Sequence, residues 1–137
     1  MKRLLRIVLA AALVPLAPAF AQSPKKAFAS PALQKEFNAF IEKFRSALKA
    51  NDSAAVAGMT KLPFEHDSSV RDAAQFRAKT YKEDFGAKNR ACLQRSKPVY
   101  DRAPNNTDYY SIFCGELIFL FAKTPDGFLF ADIGMND

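Results

Sequence analysis

Residues 109–123 read Tyr-Tyr-Ser-Ile-Phe-Cys-Gly-Glu-Leu-Ile-Phe-Leu-Phe-Ala-Lys, and this stretch decides the fold. Aromatic and β-branched residues dominate it, so it predicts a long strand. Successive strand residues point to opposite faces. Taken as one strand, the run sets Ile112, Cys114, Ile118 and Leu120 on one side, and Phe113, Leu117, Phe119 and Phe121 on the other. Both sides are apolar, whereas an antiparallel sheet packed on one face alternates with polar residues. The second face therefore needs a cover: a sheet curling on itself, a partner subunit, or an apolar ligand in a concave pocket. Phe113, Leu117, Phe119 and Phe121 are the candidate pocket or interface residues. A bend near Gly115 would exchange the faces partway along.

Strand chemistry continues on both sides of this run. Thr124-Pro125-Asp126-Gly127 carries proline at the second and glycine at the fourth position of a type I turn. Phe128 to Gly134 is then the returning strand. Upstream, Pro98 to Arg102 predicts another strand, joined to the long run by a loop from Ala103 to Asp108.

Farther upstream the apolar spacing turns helical. Leu33, Phe37, Phe40, Ile41, Phe44 and Leu48 recur at intervals of three and four, which predicts a helix from Pro31 to Lys49 with one apolar stripe for the sheet. Ser30 and Pro31 supply an N-cap and a first-turn proline. Asn51-Asp52-Ser53 ends this helix and caps a second, shorter one through about Met59. Leu62-Pro63-Phe64 suits an edge strand or an extended connector. Val70 to Arg95 is helical again, interrupted at Gly86, with a further turn carrying Cys92. Arg77, Lys79, Lys82, Lys88, Arg90 and Arg95 make this region basic, as a solvated helix face or an anion-binding surface.

The N-terminus gives an address. Lys2, Arg3 and Arg6 precede an apolar run from Ile7 to Leu16, and Ala19-Phe20-Ala21 follows with small residues where a signal peptidase reads. The run is shorter than the roughly 20 residues of a spanning helix. We expect a cleaved bacterial export signal over 1–21, a flexible leader over 22–30 and a single domain over 31–137, in the periplasm or secreted, with no transmembrane segment after cleavage. Ala27-Phe28-Ala29 is a second candidate cleavage triplet. The chain carries 20 Lys and Arg against 14 Asp and Glu. Three of the basic residues leave with the signal, which halves the excess and excludes a nucleic-acid footprint.

Cys92 and Cys114 are the two cysteines. An even count in an exported chain reads first as a disulfide, and second as a redox or metal site. No Cys-x-x-Cys pair supports the second.

A long amphipathic helix, shorter helices and then a meander of strands resembles the NTF2-like family, also called cystatin-like. The resemblance rests on the Phe37-to-Leu48 helix, the Asn51-Asp52-Ser53 break, the Leu62-Pro63-Phe64 step and the closing Phe119-to-Asp132 hairpin. It implies an α+β roll, with N-terminal helices packed on a curved antiparallel sheet. Many relatives carry a tryptophan after the turn glycine, where this chain has Phe128 and no tryptophan at all. The family includes isomerases, dehydratases, ligand binders and dimerisation modules, so the fold alone does not choose among them.

Enzymes that resemble this fold use acid–base groups in the mouth of the roll. The candidates here are Glu116, Asp132, Tyr110 and His66, with Asp67 and Tyr109 beside them. Glu116 interrupts an apolar strand, and a closed pocket would raise its pKa. The alternatives are a Gly115 bulge that turns it to water, or a partner Lys or Arg. The chain has no Gly-x-Ser-x-Gly, no His-Glu-x-x-His and no phosphate loop, and neither metal nor cofactor is expected. Three functions stay open. One is a non-catalytic protein that binds a small apolar or amphipathic ligand or a protein partner, a homodimer through the sheet included. Another is a pocket enzyme of isomerase or dehydratase type. The third is an inhibitor or interaction protein of the envelope, which would present the loop from Ala103 to Asp108.

Overall fold

The computed structural model describes residues 26–137; the expected export signal and the first residues of the leader lie outside them. Helices come first and strands last, giving an α+β architecture. Helix α1 (Pro31–Lys49) has the predicted bounds, with the Ser30 hydroxyl accepting from Leu33 N at its start. Helix α2 (Ser53–Gly58) is capped by Asp52, whose carboxylate accepts from Ala55 N. Helix α3 (Ala73–Phe76) runs through a π-helical turn, Arg77–Tyr81, into α4 (Lys82–Asp84). The wider turn accompanies burial of Phe76, Thr80, Tyr81 and Phe85. After the Gly86 interruption, α5 (Ala87–Arg95) carries Cys92 to the sheet.

The sheet is an antiparallel meander of β1 (Val99–Arg102), β2 (Asp108–Cys114), β3 (Leu117–Thr124) and β4 (Gly127–Met135), paired in chain order. Here the structure corrects the reading of 109–123 as one strand. Cys114 pairs with Leu117, so Gly115-Glu116 is a two-residue turn. Gly115 sits at φ 66°, and Glu116 is not among the residues of positive φ. A left-handed glycine at the first central position is the type II′ pattern, whose twist matches that of the flanking strands. We expect Gly115→Val to cost about 1–2 kcal/mol, because a β-branched residue tolerates left-handed backbone poorly. Urea unfolding measures this, and a loss under about 0.3 kcal/mol would contradict the turn assignment.

The hairpin changes which residues share a face. Tyr110, Ile112 and Cys114 of β2 lie with Phe119 and Phe121 of β3, and with Phe128, Phe130 and Ile133 of β4, all buried beneath the helices. The α1 stripe fills this inner face. Phe37 stacks on Tyr110 at 3.7 Å between ring centroids, and Phe44 meets Phe121 edge-on at 5.1 Å. Phe130 sits at the centre, with the rings of Phe44, Phe64, Phe76, Phe85, Phe119 and Phe121 around it.

Two local features shape β4. Its register shifts opposite Leu120 and Phe121: Phe121 pairs with Phe130, Leu120 pairs with Asp132, and Ala131 is the extra residue. Such a bulge reverses the in–out order beyond it. It buries Ile133 and sends Asp132 to the other face, where uninterrupted alternation from Phe128 and Phe130 would have driven a carboxylate into the core. The edge of β4 is partly closed as well. Phe130 N donates to Met59 O and Lys61 N donates to Phe130 O, both at 2.8 Å, around a parallel bridge from Thr60 to Phe130. The predicted connector at Leu62 to Phe64 follows, with a cis Leu62–Pro63 bond.

Cys92 and Cys114 form a disulfide, with Cα atoms 5.8 Å apart, that joins α5 to β2. No helix among the described residues is long and apolar enough to cross a membrane.

Candidate functional site: the open face of the sheet

Of the four residues read as a pocket or interface, three face the helices. Phe119 and Phe121 are fully buried in the core, and Leu117 packs against its margin. Phe113 alone points the other way and is 46% exposed.

The acid–base candidates are dispersed. Glu116 is exposed in the β2–β3 turn, where its carbonyl accepts from Asn136 N. Tyr110 is buried on the inner face, and its hydroxyl donates to Gln34 Oε1 at 2.9 Å. Burial first, then the nearby Tyr100 and Asp108, push its pKa above the ordinary phenol value. The two that approach each other are His66 and Asp132, with Nδ1 and Oδ1 3.9 Å apart and both partly exposed. That separation exceeds the reach of direct proton transfer, and Tyr110 lies on the opposite side of the sheet. Asp67 bonds Lys79 and Ser69 instead of a reacting group; the Lys79 hydrogen bond, above all, holds its carboxyl well below the usual range. Among the described residues no three His, Cys, Asp or Glu side chains converge on a metal-sized site.

What the chain does assemble is an apolar surface on the side of the sheet away from the helices. Its floor comes from alternate positions: Tyr109, Ser111 and Phe113 of β2, then Ile118, Leu120 and Ala122 of β3. Beyond Leu120 lie Asp132 and Gly134 of β4. Two depressions of about 270 and 400 Å³ adjoin on this face, with Tyr109 and Leu120 lining both, and we term the pair the trough. Val99, 42% exposed, stands beside it on β1.

The walls are held in place by polar contacts. The β1–β2 hairpin is clamped where Asp108 accepts from the Tyr100 hydroxyl at 2.6 Å and from Arg102 Nε at 2.9 Å. The Tyr100 hydrogen bond is the main reason that the Asp108 carboxyl lies below its ordinary pKa. At the tip, Ala103 N donates to Thr107 O and Asn106 N donates to Ala103 O. This folded tip borders the wider depression, with Lys61 and Glu65 on its other side. On the floor, the Tyr109 hydroxyl reaches Asp101 Oδ2 at 3.3 Å.

Sequence reasoning missed Val99, Asp101 and Gly134 as parts of this surface, and put Ile118 and Leu120 on the side of Ile112 and Cys114 when they lie with Phe113. One signal was present: a glycine followed by a polar residue between two β-rich runs is the composition of a two-residue turn. No family model matches the chain, nor does any curated protein or solved structure.

Proposed function

We propose that this chain is an exported, non-catalytic protein of NTF2-like type that binds a partner polypeptide through the open face of its sheet. The contrast between the two faces carries this reading. Rings occupy the space between α1 and the sheet, where a small ligand or substrate would otherwise lodge. The opposite face carries two adjoining depressions over an apolar floor of Tyr109, Phe113, Ile118, Leu120 and Ala122, and exposed apolar patches mark interaction sites. The disulfide suits an oxidising compartment, and the helix-then-meander order supports the family resemblance.

A native mass measurement on protein released gently from its host tests the proposal. The expected result is a complex heavier than one chain by the mass of a polypeptide. Phe113→Glu and Val99→Glu alter exposed positions, so they should leave the melting temperature within about 2 °C while the complex disappears. A lone chain, or a chain carrying a ligand under about 1 kDa, would overturn the proposal.

A further inference from the structure

We infer that the trough takes an extended, cationic segment of the partner polypeptide, one bearing Lys or Arg at some positions and apolar side chains between them. This rests on the partner-binding reading and adds the chemistry of the occupant.

Charge is the first observation. Without the three basic residues of the expected export signal the chain keeps a small positive excess, 17 Lys and Arg against 14 Asp and Glu, yet the trough reverses that sign. Its ionisable lining is Asp101, Asp132, Glu65 and Lys61. Lys61 is engaged by Glu65 as an ion pair, which leaves Asp101 and Asp132 as the net charge. Each has one carboxylate oxygen held by a backbone N–H, of Arg102 and Ile133 respectively, both at 2.8 Å. His66, whose ring lies 3.9 Å from Asp132, is the other titratable neighbour. A cationic segment is attracted at the trough, so charge complementarity favours docking there.

Shape is the second. Gly134 faces the trough between Ile118 and Leu120, and a Cβ there would lie 3.6 Å from the Ile118 Cβ. A glycine in a strand interior leaves room for the close approach of another backbone. Ser111, Ala122 and Ala131 keep the rest of the floor low, between Tyr109, Phe113 and Leu120. From Thr107 to Phe113 the two adjoining depressions together span roughly 20 Å at about 3.3 Å per residue, room for some six extended residues.

The probes are two synthetic heptapeptides, one alternating Val with Lys and one alternating Val with Glu, titrated against the purified protein by fluorescence anisotropy. The Lys peptide is expected to bind and the Glu peptide to bind at least tenfold more weakly. Asp101→Asn with Asp132→Asn keeps the backbone hydrogen bonds and should weaken the Lys peptide roughly fivefold to tenfold. Raising the salt should also weaken it. Equal binding of both peptides, or no effect of the Asn pair, would overturn the charge assignment. If neither peptide binds while the natural complex persists and remains sensitive to Phe113→Glu, this inference fails and the partner reading stands. A complex insensitive to Phe113→Glu would sink both. Light scattering provides the last arm: a dimer of this chain that the Lys peptide cannot displace would make a second copy the occupant, and would also overturn the inference.

Discussion

Phe130→Ala is expected to remove about 4 kcal/mol of stability, the largest loss from any single truncation in this chain. Phe130 is fully buried, and its ring neighbours come from α1, the Phe64 connector, α3, the Phe85 segment and β3. Truncation removes the transfer free energy of the ring and leaves a cavity that five separate segments cannot close together. Buried Phe→Ala changes typically cost 3–5 kcal/mol for this reason. Urea unfolding at constant pH measures it. The control is Phe113→Ala on the open face, expected to stay within about 0.5 kcal/mol. Similar losses at the two positions would mean that the two faces are not as different as their burial indicates.

The second large effect belongs to the disulfide. Replacing Cys92 and Cys114 together by alanine should cost about 3 kcal/mol. In a domain of this size that lowers the melting temperature by roughly 10–15 °C. The bridge closes a loop containing the last four residues of α5, all of β1 and β2 up to Cys114, so cutting it frees a long segment in the unfolded chain. The variant should still fold, because α5 has a second anchor. Arg45 donates from Nε to Leu93 O at 2.8 Å and from Nη2 to Ser96 O at 2.6 Å, while Gln94 Nε2 returns a bond to Arg45 O. Thiol titration of the native protein should find no free thiol; two per chain would rule the bridge out. Loss of all cooperative unfolding in the variant would show that the Arg45 anchor cannot hold α5 alone.

These expectations differ in how directly the residues announced them. The α1 helix was legible to its ends, because its stripe, its Ser30 cap and its proline act within one or two turns of chain. The disulfide was legible as a pairing of the two cysteines in a sequence whose N-terminus reads as an export signal. The open face was not. Misreading Gly115-Glu116 as mid-strand placed Phe119 and Phe121 with Phe113, on one surface, when a tight turn sets them on opposite sides of the sheet. A turn of two residues reverses the chain with a single polar residue, Glu116, as its break, so the long apolar run on either side disguised it.

Asp132 shows the same limit more sharply. Strand alternation from Phe128 and Phe130 predicts that Asp132 faces inward, where a carboxylate would suggest a catalytic pocket. The bulge at Ala131 turns it outward to become an acidic point on the trough. That bulge depends on Leu120 and Phe121 arriving opposite β4, and on Met59 and Lys61 bonding Phe130 from its other edge. What the amino-acid sequence determined by itself was local: the helix periods and caps, the Thr124-to-Gly127 turn and the apolar character of the strands. Which apolar residues meet the helices and which meet solvent was decided by tertiary pairing alone. A side chain's face depends on counting residues from a turn or bulge, and a shift of one position inverts every assignment beyond it.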